Sequence, residues 1–148
     1  MGAPEVELFA STTGTDSDWV VKLIDVYPND VPEAASQGAK PSMAGYELAI
    51  GIEIFRGRYL KSFAKPSPIA PGKVERYTWK LPNVDHVFRP GHRIMVQVQS
   101  TLFPLYDRNP QTYVENIMYA KKNDYKKATQ SIWFGGANAS SVVLPVVQ

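Results

Sequence analysis

The chain predicts an all-β fold: antiparallel strands packed as a sandwich, with little helix. Three features carry that prediction. Seven short segments, residues 5–10, 19–27, 46–55, 74–81, 93–99, 128–134 and 141–147, are rich in Val, Ile, Tyr, Phe and Trp. Turn-forming sequences punctuate the spaces between them: Thr13-Gly14, Tyr27-Pro28-Asn29-Asp30, Lys65-Pro66-Ser67-Pro68, Ala70-Pro71-Gly72, Arg89-Pro90-Gly91, Asn109-Pro110 and Gly135-Gly136. Within several segments, apolar residues alternate with polar ones at the period of a strand with one buried face.

Taken in order, the segments differ in how many faces they bury. In DWVVKLIDVY, Val20, Ile24 and Val26 lie opposite Trp19, Val21, Leu23 and Tyr27, so both faces are apolar and the strand belongs in the centre of a sandwich. Residues 29–45 carry few large apolar side chains and read as a surface connection. In VERYTWKL, Tyr77, Trp79 and Leu81 share one face, while Arg76, Thr78 and Lys80 share a wet one. Pro90-Gly91 reverses the chain before a strand in which Ile94, Val96 and Val98 point inward and Met95, Gln97 and Gln99 outward. Leu23, Trp79, Val96 and Leu144 are therefore expected between the sheets. Residues 111–127 place Tyr113, Ile117 and Ala120 at helical spacing, which predicts a short helix.

Composition narrows the function classes. With 148 residues, 44% of them hydrophobic, the chain suits one domain, residues 1–148, with a real core. A formal charge of +2 from 16 basic and 14 acidic residues lacks the broad basic footprint that nucleic acid demands. No apolar run approaches the roughly 18 residues of a membrane span. The opening MGAPEVELFAS lacks the basic and apolar regions of a signal peptide, which leaves bacterial export and the cytoplasm both open. Without cysteine there is neither a disulfide framework nor a thiol nucleophile.

Motifs for catalysis are missing. No G-x-S-x-G turn occurs, and GGANASS at 135–141 reads as a loop. His92 has Asp85 and Asp107 as conceivable partners, but such pairs arise by chance, so it is expected to be structural, donating a hydrogen bond at its turn. His86 is equally plain, and two histidines six residues apart lack metal-ligand spacing. The expectation is no catalytic, cofactor or metal site. Lys121, Lys122, Lys126 and Lys127 read as a solvated loop, and Asn138-Ala139-Ser140 as a chance glycosylation match. The loop STLFPLYDRNP is the exception, because Leu102, Phe103, Leu105 and Tyr106 are too apolar to face water. Asp107, Arg108 and Asn109 would brace it, with Arg108 suited to a forked bond with a carboxylate.

Five stretches in one order, TDSDWVVKLIDVYP (15–28), IEIFRGRYLKSF (52–63), PGKVERYTWKL (71–81), FRPGHRIMVQVQSTLFPLYDRNPQT (88–112) and SSVVLPV (140–146), resemble the C-terminal domain of the X-prolyl dipeptidyl peptidase, cocaine esterase and cephalosporin acylase group. That resemblance implies a jelly-roll sandwich of the galactose-binding-like type, set behind an α/β-hydrolase domain that holds the serine, acid and histidine. It also implies that this chain is a non-catalytic fragment of a larger serine hydrolase. Its expected partner is that hydrolase domain, met through Leu102, Phe103, Leu105, Tyr106, Asp107, Arg108 and Asn109 near the substrate entrance. A homo-oligomer is a further expected partner. Two other classes stand beside this one: a carbohydrate-binding module, for which Trp19, Trp79 and Trp133 would have to form a platform rather than core, and an adhesion or assembly module using an exposed sheet edge.

Overall fold

A computed structural model describes residues 2–30 and 42–147. The strands run β1 (Glu5–Thr12), β2 (Asp18–Val26), β3 (Glu47–Arg56), β4 (Glu75–Lys80), β5 (Arg93–Gln99), β6 (Gln130–Ile132), β7 (Phe134–Gly135), β8 (Asn138–Ala139) and β9 (Ser141–Val143). They form an antiparallel sandwich. One sheet has β1 at its centre, paired with β4 along Glu5–Ala10 on one edge; the other edge is divided between β9 at Glu5–Glu7 and β6 at Ala10–Thr12. The other sheet is ordered β3-β2-β5, with a bulge at Leu23/Ile24 against β3. A two-stranded β7-β8 hairpin stands apart. The connection expected over residues 29–45 falls mostly outside the described residues.

The double apolar face of DWVVKLIDV has the central place it calls for. Every residue of β2 except Lys22 is buried. Val6, Leu8 and Ala10 from β1 meet Trp19, Val21 and Leu23 from β2, with Phe55, Tyr77 and Leu81 closing the core. Trp19, Phe55, Tyr77 and Trp79 form an aromatic cluster whose ring centroids lie 5.6 Å apart in successive pairs. Tyr77 is fully buried, and the loss of solvent pushes its phenol up to about 12.

Four expectations need correction. Of the residues expected between the sheets, only Leu23 is fully buried; Trp79 and Leu144 are half-buried against the core, and Val96 is 43% exposed. The inward face of β5 is open because the opposing sheet ends in the short β6 and β9, which leave a groove of about 500 Å³ lined by Val96, Val98, Ile132, Phe134 and Val142. Residues 111–127 form two 3₁₀ turns, Ile117–Tyr119 and Lys122–Asp124, instead of one helix. The carbonyls of Val114 and Glu115, which an α-helix would use, accept instead from Arg58. GGANASS, expected as a loop, forms a small hairpin around Gly136 (φ 60°), and Ser140 Oγ accepts the Phe9 amide at 2.9 Å. The last strand stops at Val143, short of residue 147, just before Leu144-Pro145, where proline has no amide for the ladder.

The contrast within the apolar set is testable by urea unfolding. Leu23→Ala should cost about 2–5 kcal/mol, the usual loss at a packed site, whereas Val96→Ala should cost less than about 1 kcal/mol because water already reaches it.

Candidate functional site

Two clusters at opposite ends of the sandwich bring distant residues together. The first answers what the histidines do. Asp25, near the end of β2, is buried, and its two oxygens face two imidazoles from the β4–β5 connection: His86 Nε2 donates to Oδ2 and His92 Nδ1 to Oδ1, both at 2.8 Å. Neither Asp85 nor Asp107 pairs with His92. The His92 amide also donates to the Arg89 carbonyl at 3.1 Å, closing the turn that Gly91 permits with φ 85°, and the ring lies 4.4 Å from that of Tyr27. Burial works against the Asp25 charge, but hydrogen bonds and charge from His86 and His92 outweigh it and hold the carboxyl below its usual range.

This cluster staples the β4–β5 connection to the end of β2. A His–Asp pair is half of a nucleophile-activating relay, yet the cavity of about 310 Å³ beside it is lined by Tyr27, Asp85, Val87 and Arg89 along with the three partners, and contains no Ser, Thr or Cys. Among the described residues, no group of three or more His, Cys, Asp or Glu is arranged to hold a metal ion. Each ring nitrogen facing Asp25 is already engaged with the carboxylate. The signal for the staple was present in the sequence: a carboxylate in a strand with two apolar faces must find partners.

The second cluster positions the apolar loop. Arg58, in a 3₁₀ turn after β3, is buried and donates from Nε to Asp16 Oδ2 at 3.1 Å, and from its terminal nitrogens to the carbonyls of Val114 and Glu115. Its guanidinium carbon lies 4.8 Å from the Tyr113 ring centre. Gly57 sits where a Cβ would meet Ile69 Cδ1 at 2.5 Å and the Ser17 carbonyl at 2.8 Å, so only glycine lets the turn approach this closely. Asn109, also buried, donates to Asp18 Oδ1 at 3.0 Å and accepts the Gln111 amide at 2.8 Å. Burial pushes the Asp18 carboxyl up to about 6, against the opposing pull of Asn109 and of Arg56.

From that anchored base the loop projects outward. Phe103 is 67% exposed and Leu105 65%, while Leu102 and Tyr106 are half-buried. Tyr106 Oη donates to Glu53 Oε1 at 3.4 Å, and Asp107 pairs with Arg56 at 3.7 Å. Arg108 takes no carboxylate among the described residues; it lies over the Tyr125 ring instead, 5.4 Å from its centre. Of the tryptophans, Trp19 is buried and Trp79 half-buried, as core residues should be, but Trp133 is 43% exposed.

Comparison with known proteins shows the family to which this fold belongs. The family model described as "X-Pro dipeptidyl-peptidase C-terminal non-catalytic domain" matches residues 1–143. The chain is 32% identical over 147 residues to the cocaine esterase of Rhodococcus sp. (strain MB1 Bresler), covering 99% of this chain and 23% of that protein. It superposes on an alpha-amino acid ester hydrolase (labelled with selenomethionine) with a TM-score of 0.90 at 54% identity, covering 98% of this chain and 23% of the other. An aminopeptidase from a marine sediment archaeon, Thaumarchaeota archaeon, matches with a TM-score of 0.87 at 52% identity, covering 95% of this chain and 22% of that one. The chain thus spans less than a quarter of the length of these relatives.

The two aspartates predict opposite responses to pH. Asp25 is held below 3.8, so the stability it contributes is present above that value and disappears as pH falls through its folded pKa; Asp25→Asn should cost about 1–3 kcal/mol near neutral pH. Asp18 titrates near 6 when folded and near 3.8 otherwise, so its contribution is full below 3.8 and declines as pH rises through 6. Unfolding curves of Asp18→Asn across that window should be flatter than those of the parent, and an unchanged slope would contradict the assignment.

Proposed function

Because the chain belongs to the family of X-Pro dipeptidyl-peptidase C-terminal non-catalytic domains, we propose that it is the accessory domain of a larger serine hydrolase acting on peptide, ester or amide bonds. In this reading it packs on an α/β-hydrolase domain and shapes the approach to that domain's active site. The observation that carries the proposal is the loop at 100–110. Phe103 and Leu105 stand in solvent although the base of their loop is fixed by Asn109, Tyr106 and Asp107. Exposed aromatic and aliphatic side chains on a braced support are how a docking surface is built, since little ordering entropy remains to be lost on contact.

Within the loop the roles divide. Phe103 and Leu105 make the contact, with Leu102 and Tyr106 filling the surface beneath them. Asp107 and Asn109 hold the loop to β3 and β2 through Arg56 and Asp18. The open groove between β5 and the β6/β9 edge supports the same reading, because its Val, Ile and Phe lining is a second apolar surface suited to burial against other parts of a parent protein. That these relatives are a cocaine esterase, an amino acid ester hydrolase and an aminopeptidase supports bond hydrolysis as the parent activity. The sequence itself contains no G-x-S-x-G nucleophile elbow.

The test needs both forms of the protein. The isolated chain should show no turnover of aminoacyl esters, prolyl peptides or β-lactam side-chain amides. In a parent hydrolase carrying this domain, Phe103→Ala should raise KM or lower the melting temperature of the assembled protein, with the burst of acyl-enzyme formation retained. Unchanged kinetics and stability in a Phe103→Ala, Leu105→Ala double variant would remove the loop from the interface.

A further inference from the structure

We propose that the cleft between the 100–111 loop and residues 125–127 binds a small oxyanion, a carboxylate or a phosphate. The cleft measures about 300 Å³ and is lined by Ser100, Thr101, Arg108, Gln111, Lys126 and Lys127 beside the buried Asn109 and the ring of Tyr125. Three cations contribute to it and no carboxylate does. Among the described residues, neither Arg108, Lys126 nor Lys127 has an ion-pair partner, although other basic side chains nearby do: Arg56 holds Asp107, and Arg58 holds Asp16. The acids nearest these cations in the sequence are engaged elsewhere: Asp107 pairs with Arg56 of β3, and Asp124 Oδ2 accepts the Lys121 amide at 2.7 Å and does not line the cleft.

The cleft is built rather than an accident of mobile side chains. Its two walls are joined by backbone, with the Lys126 amide donating to the Pro110 carbonyl at 2.9 Å. Gln111 takes φ 62°, a left-handed conformation held by its amide bond to Asn109 Oδ1 and by its carbonyl, which accepts the Thr15 amide at 3.1 Å. Arg108 rests on the Tyr125 ring, a cation–π contact that fixes the guanidinium without using its N–H donors. A guanidinium fork held this way suits two oxygens of one anion, lysine ammoniums add point charge, and the Ser100 and Thr101 hydroxyls supply neutral donors. Three like charges around one concavity raise the local potential, which an anion relieves. The inference rests on this cleft alone and stands apart from the docking of Phe103.

Amide NMR spectra of the isolated chain, titrated separately with sodium citrate and sodium phosphate against sodium chloride of matched ionic strength, test it. Saturable shifts confined to residues 100–111 and 125–127 are expected with at least one of the two anions. Citrate alone would assign a carboxylate ligand, and phosphate alone a phosphate. Arg108→Gln and the Lys126→Gln, Lys127→Gln double variant should each weaken apparent affinity about tenfold, the loss expected for a charge-assisted contact. Lys73→Gln, whose lysine pairs with Glu75 elsewhere, should leave it unchanged. Shifts that rise linearly without saturating, that chloride reproduces, or that persist undiminished in both cleft variants would overturn the proposal.

Discussion

One end of the sandwich depends on a buried ion pair, Arg58 with Asp16. Both side chains are removed from solvent, so neither charge survives there without the other; an unpaired charge in such a place costs about 3–5 kcal/mol in proteins generally. The pair does more than neutralise itself. Asp16 precedes β2, Arg58 follows β3, and the two terminal guanidinium nitrogens reach Val114 and Glu115, so three hydrogen bonds from one side chain join three separate stretches of chain. The irregular path of residues 111–127 follows from this, since a helix would have claimed the same carbonyls.

That convergence also sets the stage for the exposed loop. Asp18 lies two residues beyond Asp16, and through Asn109 it fixes the point at which the 100–110 loop returns to the body of the domain. A loop tethered at its base by a buried amide and along its length by Arg56 and Glu53 can carry Phe103 and Leu105 in solvent without collapsing onto its own core. The opposite end uses a related device with different chemistry: Asp25 gathers two imidazoles and thereby secures the β4–β5 connection. Carboxylates placed at both ends of the most buried strand thus attach the irregular segments to the regular ones. The apolar stretch between them supplies the core.

The asymmetry of the two sheet edges has a functional meaning. At the β3 and β4 edge the sheets close over Phe55 and Trp79, and the core is sealed there. At the β5 edge they do not close, and Ile94, Val96 and Phe134 remain in water. An open side and an apolar loop on the same domain are hard to reconcile with an isolated life, and they accord with the proposed place of this domain beside another in a larger protein.

What the sequence determined by itself is the part governed by local periodicity and turn chemistry. The all-β class, the positions of β1 to β5, the central place of DWVVKLIDV and the two-sided pattern of ERYTWK all follow from residues within one strand of each other. Ordered stretches such as TDSDWVVKLIDVYP and GHRIMVQVQS further carried the family resemblance, and the apolar run Leu102–Tyr106 marked a surface that water does not explain. Tertiary structure alone decided which carboxylate each histidine would meet, because Asp25 lies 61 and 67 residues away from His86 and His92. It also decided that Val96 would be exposed despite its perfect alternation, since alternation states which side chains share a face but not whether a second sheet extends far enough to cover it. Tyr113, Ile117 and Ala120 had helical spacing and no helix, for the same reason: the hydrogen-bond acceptors that helix needed were taken by an arginine more than fifty residues earlier, a competition that no local pattern records.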